Sequence, residues 1–156
     1  MNQSPQTPTQ VQIQTNPPSN LHEYAAFIER GLSDIRRKVS AIDWMPFDVL
    51  GAIRGGQAEC VIVSRGTKAL GFVVWYRQAR PWSGKLDLFV WAAWAIPLRE
   101  REAGDNVSEA VLLTVQWLKE QKRLIGANKI VFISSRKGFA RRFGFKPVLM
   151  TFWDRE

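Results

Sequence analysis

The sequence predicts an α/β (α+β) fold: a single domain with a mixed central β-sheet of about six strands and three to four helices. Three observations carry that reading. A chain of 156 residues has room for one domain, and at that length it buries roughly two thirds of the surface exposed when unfolded. A content of 46% hydrophobic and 23% charged residues is that of a globular protein. Segments with strand and helix periodicity follow in the order β-α-α-β-β-β-α-β-α-β, and strands grouped in this way around a few helices indicate one mixed sheet.

Residues 1–10 are polar and contain Pro, which makes them an extended arm ahead of a domain spanning 11–156. Val11-Gln12-Ile13-Gln14-Thr15 alternates as a half-buried strand does, and Asn16-Pro17-Pro18-Ser19 stops it. Asn20 is placed to cap a helix, with Glu23 completing a capping box. Tyr24, Phe27, Ile28, Leu32, Ile35 and Val39 then recur at helical spacing, to about Ser40. Pro46 opens a short second helix through Ile53, which Gly55-Gly56 closes.

Residues 59–65 and 69–78 read as an antiparallel hairpin turning at Gly66-Thr67-Lys68. Arg80-Pro81-Trp82-Ser83-Gly84 is a loop. Residues 85–96 form a third strand, apolar on both faces near its end and therefore central in the sheet. Helical spacing returns over 107–122, with Ala110, Val111, Leu113 or Thr114, Trp117 and Leu118 inward. Residues 129–134 make another buried strand, 138–143 one or two helical turns, and 147–153 a closing strand.

Composition excludes several classes of function. The apolar run 86–98 is interrupted by Asp87 and too short to span a bilayer, so no membrane partner is expected. The first twenty residues carry no charge and no long apolar block, which fits neither a secretory signal nor a transit peptide and leaves cytoplasmic synthesis as the expectation. Cys60 is the sole cysteine, which rules out an internal disulfide, and with a single His no metal centre is expected. The net charge of +8 falls wholly on residues 21–156. Such a domain seeks anions: nucleotide phosphates, nucleic acid or an acidic protein surface.

Pro97 is followed by Arg101-Glu102-Ala103-Gly104-Asp105-Asn106 at the head of the helix over 107–122, which continues as AVLLTVQWLKEQ. Later, Phe139-Ala140-Arg141-Arg142-Phe143-Gly144-Phe145-Lys146-Pro147-Val148 is similar to a common ending, FYEKLGFKPV. These motifs and the order of elements resemble the GNAT acyltransferase superfamily, in residues over about 59–153 and by element order over 11–55. The resemblance implies acetyl-CoA as cofactor, with Arg101, Gly104, Asn106 and Val107 at its pyrophosphate. The physical basis is a helix N-terminus, whose unpaired N–H groups attract phosphate, and a glycine that lets it approach without meeting a Cβ. It also implies that strands 85–96 and 129–134 splay to admit the pantetheine arm and hold the thioester carbonyl on a strand N–H.

Two signature positions depart from the family pattern. Asn106 stands where Gly or Ala is usual, and Ala140 stands where many members have the Tyr that protonates the leaving thiolate. Asp105 and Glu102 also place negative charge beside the pyrophosphate position. Asp87 lies on the strand that often supplies a general base, although a lone carboxylate there is more often solvated or paired with Lys or Arg. Arg136, Lys137, Arg141, Arg142 and Lys146 form a basic cluster that suits the CoA 3′-phosphate, an acidic partner or nucleic acid, or else is the solvated face of a short helix. His22 is expected on the surface, Cys60 as a small core residue, and Trp75, Trp91 and Trp94 in the core or an interface.

The expected function is a GNAT-fold protein with an eroded acyl-CoA site, acting as a structural or assembly component tethered to protein partners through residues 1–10. In size and erosion it is similar to the small GNAT-like virion and assembly proteins of short-tailed bacteriophages, which implies incorporation into a virion. The alternative is an acetyl-CoA-dependent N-acetyltransferase acting on an amine, with Asp87 or a water as base.

Overall fold

A computed structural model describes residues 11–16, 21–39, 44–132, 142, 144 and 145. Its elements in chain order are β1 (Val11–Asn16), α1 (Leu21–Lys38), α2 (Pro46–Arg54), β2 (Glu59–Arg65), β3 (Lys68–Ala79), β4 (Leu86–Ala95), a 3₁₀ turn (Leu98–Glu100), α3 (Val107–Leu124) and β5 (Lys129–Phe132). The expected arm 1–10, the closing strand 147–153 and most of the turns at 138–143 lie outside the described residues.

The five strands lie side by side in sequence order. β1 to β4 pair antiparallel and β4 pairs parallel with β5, because α3 carries the chain back along the sheet between them. β4 is thus an interior strand, as its two apolar faces require.

Alternation along the strands sends side chains to opposite faces, and each face has its own helical cover. Cys60, Ile62, Phe72, Val74 and Ala92 pack under α1 and α2 with Ile28, Leu32, Val49 and Ile53. Val61, Val73, Trp75, Leu88 and Val90 pack against Leu118 of α3 on the other face. α3 buries Ala110, Thr114, Val115 and Leu118, while Trp117 is half-buried edge-on to Trp75 at 6.1 Å. Cys60 is a core residue, and burial pushes its thiol up to about 12, far from a nucleophile.

Two local features shape the α1 face. A β-bulge in β4 pairs Val74 with Ala92 and Trp75 with Val90, leaving Trp91 as the inserted residue. Trp91 and Ala92 therefore both serve the α1–α2 layer. The second feature is the close seat of α1 on the sheet. A Cβ at Gly31 would lie 2.3 Å from the Phe72 ring and 2.8 Å from the Trp94 ring. Next to it Trp94 Nε1 donates to Asp34 Oδ2 at 2.9 Å, and the Arg30 guanidinium lies 5.4 Å above the Trp94 ring while pairing with Glu100. The Trp94 hydrogen bond, with Lys38 and Arg37, holds the Asp34 carboxyl at about 2.

Replacing Gly31 with Ala forces α1 off Phe72 and Trp94. The expected loss in chemical denaturation is about 1–3 kcal/mol of stability, the usual cost of overfilling a packed contact; an unchanged midpoint would show that α1 does not seat there.

Candidate functional site

Residues 101–106 form a loop that ends at the head of α3, the placement a phosphate-binding turn requires. Asn106 is the N-cap of α3, its Oδ1 accepting the Glu109 N–H at 3.0 Å. Val107 opens the helix, half-buried. Arg101 turns back toward the sheet, where its Nε donates to the Ile96 carbonyl at 3.1 Å.

The centre of the loop is occupied by Asp105. Its carboxylate has no exposed surface and takes three donors: Arg65 Nε at 2.7 Å, Lys68 Nζ at 2.5 Å and the Glu102 N–H at 2.9 Å. Arg65 and Lys68 face each other across the tight turn joining β2 to β3. Like charges so placed repel, and the single carboxylate between them relieves both. The Lys68 ammonium, the Glu102 N–H and Arg65 hold the Asp105 carboxyl far below the usual carboxylate range. Glu102, mostly exposed, adds a second negative charge 3.9 Å from both cations.

Gly104 has Arg65 as its near neighbour. A Cβ on it would sit 2.6 Å from Arg65 Nη1, so the guanidinium lies close beside this exposed residue. Two features work against a CoA pyrophosphate here: Arg65 and Lys68 are paired with acidic residues of the loop itself, and the Glu102 and Glu109 N–H groups are taken by side chains.

Asp87 lies on the first part of β4, at the opposite end of that strand from the loop, 8% exposed. Arg80 grips both of its oxygens, at 2.6 and 2.7 Å. That hydrogen-bonded fork, with Lys129 contributing, lowers its pKa. A carboxylate so held is a poor proton acceptor at neutral pH, where a general base works best with a pKa near the operating pH. The structure does not bring Asp87 together with residues 101–106. Of the basic cluster, Arg142 is described and helical, while Arg136, Lys137, Arg141 and Lys146 lie outside the described residues, as does Ala140. Among the described residues no group of His, Cys, Asp and Glu could hold a metal ion, and no helix is long and apolar enough to cross a membrane.

Sequence reasoning missed Arg65 and Lys68. The available signal was a pair of cations flanking a two-residue turn, with Glu102 and Asp105 in the loop ahead of α3.

Because folding depresses the Asp105 pKa, its stabilising effect is present above the unfolded value of about 3.9 and is lost as pH falls toward the folded value. Wild type is therefore expected to melt above Asp105→Asn at pH 7, with the gap closing progressively below about pH 4; a gap of constant size in thermal scans across that range would contradict the buried ion cluster.

No protein-family profile matches the chain, and no curated protein matches its sequence. Solved structures do match its fold. A ribosomal-protein-alanine N-acetyltransferase from Brucella melitensis biovar Abortus 2308 superposes with a TM-score of 0.61 at 17% identity, over 94% of this chain and 99% of that one. An aminoglycoside acetyltransferase from an uncultured soil metagenomic sample gives 0.62 at 11% identity, over 94% and 99%. An integron cassette protein from the mobile metagenome of Cole Harbour Salt Marsh gives 0.65 at 15%, over 93% and 90%. At such identities the likeness speaks for the fold alone. Together with the sheet order, the parallel β4–β5 pair and the loop heading α3, it identifies the architecture as that of the GNAT acetyltransferases.

Proposed function

We propose that the chain is a non-catalytic GNAT-fold component of a larger protein assembly, of the virion kind, tethered to protein partners through residues 1–10 and contacting anionic surfaces through its basic C-terminal cluster. The observation that supports the reading is the Asp105 carboxylate. It occupies the cations and a backbone donor at the place where the fold would otherwise hold a pyrophosphate. With Asp87 locked by Arg80 and Ala140 in place of the family's Tyr, proton transfer lacks both of its usual agents.

An acetyl-CoA-dependent N-acetyltransferase acting on an amine is the second reading. It draws on the bulge at Trp91, which interrupts β4 beside Val90, a residue paired with β5. A bulge bends a strand and strengthens its twist, a start for the parting of parallel strands.

Calorimetric titration with acetyl-CoA separates the two. The assembly reading expects no saturable heat up to millimolar cofactor and no acyl transfer to amines; binding at micromolar concentration overturns it in favour of the enzyme. Size exclusion of the full chain beside one lacking residues 1–10 addresses the tether, whose removal is expected to lower the apparent mass of the self-associated species; identical elution argues against an assembling arm.

A further inference from the structure

We infer that the turn between β3 and β4 is a binding tip for single-stranded nucleic acid, with Trp82 as the base-stacking residue and Arg77 and Lys85 as phosphate contacts. The starting observation is Trp82 itself, 98% exposed. The other described tryptophans behave differently: Trp44, Trp75, Trp91, Trp94 and Trp117 all pack against the core. An indole left in water forgoes one of the largest burial energies available to a side chain, so its display needs a reason.

Fraying is not that reason, because the turn is braced. The Arg80 N–H donates to the Lys85 carbonyl at 2.8 Å, the Gly84 N–H to the Arg80 carbonyl at 3.1 Å, and the Lys85 N–H to Ser83 Oγ at 3.3 Å. Beneath it, the Arg80 fork on Asp87 ties the first turn residue to the opposite strand. The ring stands on a fixed convex tip with both of its faces open.

Charge then selects the partner. Arg77 and Lys85 are exposed on the stems of the turn and form no ion pair with any described residue. Asp87 is the sole acid between residues 76 and 90, and Arg80 neutralises it. Lys129 of β5 lies beside Asp87 in the sheet and adds a further cation at this end. An exposed aromatic face flanked by unneutralised cations matches a strand whose bases stack and whose phosphates carry charge. In a duplex the bases already stack on one another, and a convex tip cannot reach their faces. The inference is independent of whether the chain binds acetyl-CoA, and the titration above does not bear on it.

The test is fluorescence anisotropy of a labelled oligothymidylate of about 12 nucleotides with the full chain at low salt. Saturable binding is expected. Trp82→Ala should weaken it by about 5- to 100-fold, the range for loss of one stacked base, while Trp82→Phe keeps most of the affinity. Arg77→Gln and Lys85→Gln should each reduce the slope of log K against log salt by about 0.7. Absence of binding, or equal affinity in Trp82→Ala, overturns the inference. Equal Trp82-dependent binding of polyaspartate or of a duplex of the same length also overturns it, assigning the tip to an acidic protein or to any polyanion. Since Trp82 touches no core residue, its variants keep the fold and a loss of binding reads directly on the tip.

Discussion

The ion cluster at Asp105 is the constraint on which the rest of the site depends. One carboxylate joins the β2–β3 hairpin to the loop heading α3, across separations of 40 and 37 residues in sequence. Two cations made neighbours by a tight turn need a shared anion, and the loop supplies it from within the chain. Arg65 lies close beside Gly104, so that a Cβ at this position would require the guanidinium to shift. Asn106 then has only its capping task. Within the expected phosphate cradle, Asn106 caps α3 and the Arg101 Nε donates to the Ile96 carbonyl.

A second anchor sits under α1. Gly31 lets α1 settle onto Phe72 and Trp94, and Trp94 returns a hydrogen bond to Asp34 of the same helix. Arg30 extends the contact to Glu100 in the 3₁₀ turn. Both anchors therefore end on the short segment between β4 and α3, where Lys68 and Arg30 each reach Glu100. That segment is held by ion pairs and backbone contacts.

Much of this architecture was legible beforehand. The alternation of 11–15, the capping signals around α2 and the helical spacing of 107–122 all reflect local rules, and the elements appear within a few residues of their expected ends. β3 runs slightly beyond its apolar stretch at both ends, since Lys68 and Ala79 still pair with neighbours. Val115 was missed as an inward residue because the buried stripe of α3 is wider than the spacing rule assumes. The site was less legible. Asp105 reads from sequence as a charge repelling phosphate, and only the fold reveals that its partners lie on a distant hairpin. Trp82 read simply as part of a loop, because exposure at a turn is a property of the assembled surface.

The inserted residue in β4 has a consequence for how this strand can change. Upstream of Trp91, the even-numbered Leu88 and Val90 face α3; downstream, the even-numbered Ala92 and Trp94 face α1. The strand is written in two phases, and one extra peptide unit is the shift between them. Losing any single residue near 91 would restore an unbroken ladder and at the same stroke rotate Trp94 away from Asp34 and Arg30. Substitutions along β4 are therefore local events, whereas a change in its length redirects every side chain beyond that point to the wrong layer.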